Sequence, residues 1–243
     1  MLSTKVDTIK YKRRFIYMKK EDISLSLNIT IVILVSLATI FMLTGFQFMA
    51  KQDALTATKI ETFKFFTVDS NVLMGIVAFI FAKYEIDILK GRIKAIPTRV
   101  YILKLVATVG VILTFLVTAF FLAPTALNGY LSLFLNSNLF FHLIIPILSF
   151  ITFVFFESNN KIDFKYSFMG LIPVLLYSLF YAINCFSHIE NGIVSHKYDW
   201  YGFLIGGIKS TIPALMIILV TTYFICFSLW SLNRRTYNIR QEN

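Results

Sequence analysis

Cysteine is nearly absent from this chain of 243 residues: Cys185 and Cys226 are the only two. Two thiols cannot build a disulfide framework, and with three histidines they show none of the Cys/His spacings that hold a metal. The reading therefore includes no metal and no cofactor. The two thiols fall near opposite ends of the last two apolar stretches, so antiparallel helices would hold them too far apart to bridge. Gly/Ser linkers, low-complexity tracts and convincing internal repeats are missing as well, which argues against appended domains. Also missing is the apolar-out, polar-in alternation of a barrel strand. Acidic residues are few, 13 against 23 basic, for a formal charge of +10.

What the chain has in abundance is apolar surface. Hydrophobic residues make up 57% and aromatics 16%, and the mean hydropathy is +0.73. This is the composition of an integral membrane protein. Stretches long enough to cross about 30 Å of hydrocarbon, roughly 20 helical residues each, lie near 25–46, 63–83, 100–122, 135–156, 167–186 and 206–231. Only helices and closed barrels satisfy the backbone in lipid, so the expected fold is an all-α bundle of six transmembrane helices. It divides into a basic tail (1–22), the transmembrane domain (23–232) and a second basic tail (233–243). Pro146, Pro173 and Pro213 predict kinks in three successive helices.

Charge placement sets the expected orientation. Eighteen of the 23 basic residues, including Lys83, Lys90, Arg92, Lys104 and Arg234, fall on the side of both termini, and five fall opposite. Positive residues are retained in the cytoplasm, so both termini are expected there, in the plasma membrane. The first apolar run is too long for a signal-peptide core and no A-x-A site follows it, so the first helix is expected to stay uncleaved. Basic residues at helix ends suit anionic lipid headgroups and do not form a nucleic-acid surface. Membrane lipids are thus the expected partners, and the sequence carries no signal for an oligomeric state. The external segment 186–207, with two His, Tyr and Trp, suits either a cap over a cavity or an aromatic belt at headgroup level.

Polar residues inside the membrane are costly, so each asks for a partner or a purpose. In the second stretch, Thr67, Ser70 and Asn71 share one helical face at i, i+3, i+4. In the fourth, Asn138, His142 and Pro146 recur at i, i+4, i+8. Counted from the external boundary, Thr67 and His142 lie about five to seven residues in, roughly 8–10 Å deep at 1.5 Å per residue. A hydroxyl beside an imidazole base is the minimum for nucleophilic catalysis, with Ser70, Asn71 and Asn138 as hydrogen-bonding supports. The same residues also suit plain helix-to-helix hydrogen bonding. Asp69 sits about 200° from Thr67 on a regular helix and makes a poor third member of a triad. Lys209 is its expected ion-pair partner.

Two segments carry a family resemblance. FFTVDSN, with Phe66, Thr67, Ser70 and Asn71, and NLFFHLIIP, with Asn138, His142 and Pro146, resemble the signatures of the bacterial predicted six-transmembrane-region family. More remotely they are similar to the eukaryotic androgen-induced membrane hydrolases. YDWYGF (Tyr198 to Phe203) looks like that family's aromatic segment before helix six, without its usual proline. The resemblance implies a six-pass fold, Thr67 as nucleophile and His142 as base, and a lipid-ester substrate for a threonine hydrolase; acyl transfer from such an ester is the other form of the same expected chemistry. Asp69 stands where the family has an uncharged residue. A small-solute or proton transporter using Asp69, His142 and Lys209 is the alternative, ranked lower because Val72–Phe81 and Leu143–Phe156 offer little polar lining. A non-catalytic structural protein is the third reading.

Overall fold

A computed structural model of the chain describes residues 2–49, 59–158, 162–190, 193–195, 197–204 and 208–242. It is built from helices: α1 (Leu2–Thr44), α2 (Phe66–Leu89), α3 (Thr98–Val117), α4 (Asn136–Phe156), α5 (Leu171–Phe186) and α6 (Ile208–Glu242). A two-residue antiparallel hairpin, β1 (Ile189–Glu190) with β2 (Ile193–Val194), follows α5.

Among the described residues, five segments are long and apolar enough to cross a membrane: Lys20–Thr44, Thr98–Thr125, Asn136–Phe156, Phe164–Phe186 and Thr211–Glu242. These coincide with five of the six stretches expected from the sequence. The remaining one corresponds to α2, which carries Asp69, Lys83, Glu85 and Asp87 and is not among the five.

The distribution of side chains is that of a protein solvated by hydrocarbon. On α1, Ser24, Asn28, Ile31, Val35 and Ala38 are buried at alternating spacings of four and three, while Ile29, Ile33, Leu37 and Ile40 face outward. Phe79, Phe120, Leu176, Phe180, Ile217 and Phe224 are likewise exposed, whereas Asn28, Glu85, Lys104 and Glu157 are buried. Water drives the opposite arrangement. In lipid, apolar faces are free to point outward and polar groups are gathered inside against partners.

Helix α3 is the central element, packed against α2, α4, α5 and α6, and α1 lies across α2 and α4. Close approach of α1 to α2 depends on Gly75, where a Cβ would stand 2.8 Å from Val35 Cγ1. A second close approach is at Gly170, whose added Cβ would meet Cys226 Sγ at 2.7 Å and Val109 Cγ2 at 2.8 Å. Both cysteines are free and buried.

Proline shapes α4. Pro146 has no N–H to offer the His142 carbonyl one turn back, and the preceding residues Phe140–Ile144 form a wider π turn. A second π turn, Thr152–Phe156, ends the helix. Pro173 instead lies in the first turn of α5, where its missing N–H has no helical partner to lose. Pro213 lies inside α6.

Candidate functional site

Inside the bundle of α1 to α4 two polar layers are separated by an apolar one. The separating layer contains Ile31, Val35, Met74, Ala78, Val111 and Ile145. The layer at the Thr67 end holds the residues singled out from the sequence. The layer at the Glu85 end holds Asn28, Glu85, Lys104 and Glu157, of which the sequence singles out only Lys104, as a loop cation.

At the Thr67 end, the turn Phe66–Asn71 begins α2. Asn71 Nδ2 donates to the Thr67 carbonyl (2.8 Å) and, across the helix interface, to the carbonyl of Phe141 (3.2 Å). Asn71 thereby ties the Thr67 turn to the residue preceding His142. Ser70 Oγ reaches the Thr67 carbonyl (3.1 Å) and Thr114 Oγ1 on α3 (3.2 Å). Gly110 makes room for this contact: a Cβ there would lie 3.2 Å from Ser70 Cβ.

His142 is 1% exposed, and its Nδ1 lies 2.8 Å from the carbonyl of Leu133. A carbonyl only accepts, so Nδ1 carries the proton and Nε2 of the neutral ring keeps its lone pair. The ring packs edge-on to Phe134. Asn138, one turn earlier on the same face, is also buried. Among the described residues, its Nδ2 and the Oδ1 of Asn71 have no hydrogen-bond partner, leaving one donor and one acceptor unsatisfied in this layer. Thr67 itself is partly buried, and among the described residues no hydrogen bond joins its hydroxyl to His142.

The aromatic segment before α6 closes over this end. Tyr201 Oη accepts the backbone N–H of Phe66 (3.0 Å), satisfying a free donor in the first turn of α2 beside Thr67. Its ring packs on Phe65, Tyr177 and Phe203. Burial holds the Tyr201 phenol above its ordinary value. Trp200 Nε1 donates to Tyr177 Oη (3.1 Å), which donates to the Lys64 carbonyl, and Tyr181 Oη donates to Asp199. This segment is therefore anchored against α2 and α5. Asp69 is partly buried and takes part in no ion pair among the described residues. The side chain of Lys209, its expected partner, lies outside the described residues.

At the other end, four helices contribute to a buried charged cluster. Lys104 Nζ of α3 lies 3.0 Å from Glu157 Oε1, just past α4, with both side chains 0% exposed. Asn28 of α1 is the hub. Its Oδ1 accepts from Lys104, and its Nδ2 lies near Glu157 Oε1 (2.9 Å), Glu85 Oε2 of α2 (3.2 Å) and the Ser24 carbonyl (3.1 Å). Lys104 Nζ also sits 5.4 Å from the centroid of the Phe81 ring. Lys104, which the charge count placed with the basic loop residues, is thus a buried partner of Glu157. The sequence signal was present in YILKLVA, a lysine flanked on both sides by apolar residues that a window average absorbs.

An apolar groove of about 330 Å³ between α3, α4 and α6, lined by Ile112, Leu116, Phe150, Phe224 and Leu229, includes neither layer's polar residues. Among the described residues no group of three or more His, Cys, Asp or Glu is placed to hold a metal. Comparison of the chain with protein-family models, with curated proteins and with solved structures finds no match.

Proposed function

We propose that this is a six-pass plasma-membrane protein, with α2 as the sixth span and both termini cytoplasmic, whose Thr67 layer performs acyl chemistry on a lipid ester. In this reading Thr67 is the nucleophile of a hydrolase or acyltransferase and His142 Nε2 is its base. The observation that carries it is the set of unsatisfied groups around a held imidazole. His142 has its Nδ1 tied to Leu133, Asn138 Nδ2 is a spare donor, and Asn71 Oδ1 is a spare acceptor. A reacting ester needs a base for the attacking hydroxyl and a donor for the developing oxyanion. Asn71 supports the arrangement by fixing the Thr67 turn against Phe141, and Ser70 by fixing it against α3. Lipid substrate enters sideways and keeps its tails in hydrocarbon. The resemblance to the six-transmembrane-region family points the same way.

The test is ester hydrolysis by the purified protein in lipid nanodiscs, using a panel of long-chain esters. Thr67→Ala and His142→Ala are each expected to lower turnover by about 10²–10⁴-fold, the usual worth of a positioned acid–base group. Equal turnover in folded wild type and both variants would contradict the proposal. A second reading, transport of protons or a small solute, draws support from the charged cluster at the Glu85 end. Against it stands the apolar layer of Ile31, Met74, Val111 and Ile145 between the two polar layers.

A further inference from the structure

We infer that Glu85 and Glu157 together bind one proton, which makes the charged cluster a proton-binding site at the end of the bundle opposite Thr67. The argument is a count of donors. Asn28 Nδ2 has two hydrogens and faces three acceptors: the Ser24 carbonyl, Glu85 Oε2 and Glu157 Oε1. Lys104 gives one hydrogen to Asn28 Oδ1 and one to Glu157 Oε1. Glu157 Oε2, on a side chain that is 0% exposed, has no hydrogen-bond partner among the described residues. The third ammonium hydrogen of Lys104 and the Ser24 hydroxyl beside Glu85 are the other donors at hand, and neither is placed on Glu157 Oε2. A proton on the carboxyl pair supplies one more.

Charge leads to the same conclusion. Both carboxylates reach the same amide nitrogen, so their oxygens lie within the combined length of two hydrogen bonds. Two carboxylates sharing a site resist ionising together. Lys104 is in ion-pair contact with one of them and Lys20 interacts electrostatically with both, and a bound proton relieves the repulsion that remains between the two carboxylates. The other titratable groups that face this cluster are Lys20 and Glu21 on α1, Tyr101 on α3 and Arg240 on α6. Lys20 interacts electrostatically with Glu21, Glu85, Glu157 and Arg240. Arg240 is engaged with Ser158 Oγ (2.7 Å) and the Phe155 carbonyl, and is exposed at the rim, where solvent screens it. Tyr101 is buried edge-on against Phe81. Glu85 lies beyond the apolar stretch of its helix. The site is independent of the chemistry proposed for Thr67, and its ligand is the proton.

Infrared difference spectroscopy of the intact protein in nanodiscs tests this directly. At neutral pH the wild type is expected to show the carbonyl stretch of a protonated carboxylic acid, and uniform ¹³C-glutamate labelling is expected to shift it. The glutamate-sensitive band is expected to vanish in both Glu85→Gln and Glu157→Gln, since removing either carboxylate leaves a lone acid facing the ammonium groups of Lys104 and Lys20. The proposal is overturned if the wild type lacks the band or if glutamate labelling leaves it unmoved. A band that survives in either folded variant overturns it too. The isotope arm uses the unaltered chain, so it decides even where a variant does not fold.

Discussion

The two polar layers of the α1 to α4 core solve the same problem in different ways. At the Thr67 end the buried groups are neutral, and most of their hydrogen bonds go to backbone carbonyls: those of Thr67, Phe141, Leu133 and Gly110. At the Glu85 end they carry formal charge, and their principal bonds run from side chain to side chain through Asn28. The neutral layer can lose one member and keep the others satisfied, because each bond is made separately with the main chain. The charged layer has less freedom: removing the Lys104 ammonium leaves carboxylate charge uncompensated in a dry interior. The difference assigns the two ends different roles. A layer with spare donors and acceptors can receive a ligand, and a layer of mutually compensating charges holds helices together while keeping a proton.

Substitutions can break this comparison at graded strength. The largest effect is expected from Lys104→Met, which strands Glu85 and Glu157 without their ammonium. It should cost about 3–5 kcal/mol, the range for removing one partner of a buried ion pair, read by unfolding in mixed micelles. Asn28→Leu keeps the volume of the hub but removes its bonds to Lys104, Glu85 and Glu157. Leaving those groups unsatisfied should cost about 1–3 kcal/mol. In the separating layer, Gly75→Ala forces a Cβ to 2.8 Å from Val35 Cγ1. Overpacking of this kind costs about 1–3 kcal/mol, and Val35→Ala in the same chain should recover most of the loss. Ser70→Ala, which removes the hydroxyl contact with Thr114 in the neutral layer, should cost only about 0.6 kcal/mol, the average for hydrogen bonds between membrane helices. An effect of Ser70→Ala as large as that of Lys104→Met would erase the distinction between the layers.

How much of this was legible in the sequence differs between the two ends for a physical reason. Helix class and five of the spans follow from apolar length alone, which is additive along the chain. The grouping of Ser70 and Asn71 on one face of α2, and of Asn138 and His142 on one face of α4, follows from helical spacing, a local property. That Asn71 reaches Phe141, and that Tyr201 accepts the Phe66 N–H, depends on how distant segments pack, and no local pattern encodes it. The charged cluster was the hardest to see. Its members come from four helices, and three of them lie near helix ends, where Lys and Glu are ordinarily solvated. Position along the chain assigns Lys104 to the basic loops, yet it is buried against Glu157 because α4 ends at that height. The stretches Val72–Phe81 and Leu143–Phe156 offer little charge, and the charged groups sit just beyond them, at Glu85 and Glu157. α2 illustrates the limit of composition: it carries four charged residues, is not among the five apolar helices, and turns Ser70, Asn71 and Glu85 to the core.

The central claim is that the Glu85 end is a closed set of mutually compensating buried charges while the Thr67 end is not. A double-mutant cycle on Lys104→Met and Glu157→Gln measures this most directly, with unfolding free energy in lipid as the readout. The account predicts strong coupling, with the double variant losing much less stability than the sum of the two single losses, because removing both partners leaves less charge stranded. Additive losses would contradict it, since they would mean that each residue is solvated independently and that the buried pair is not the unit that holds this end of the bundle.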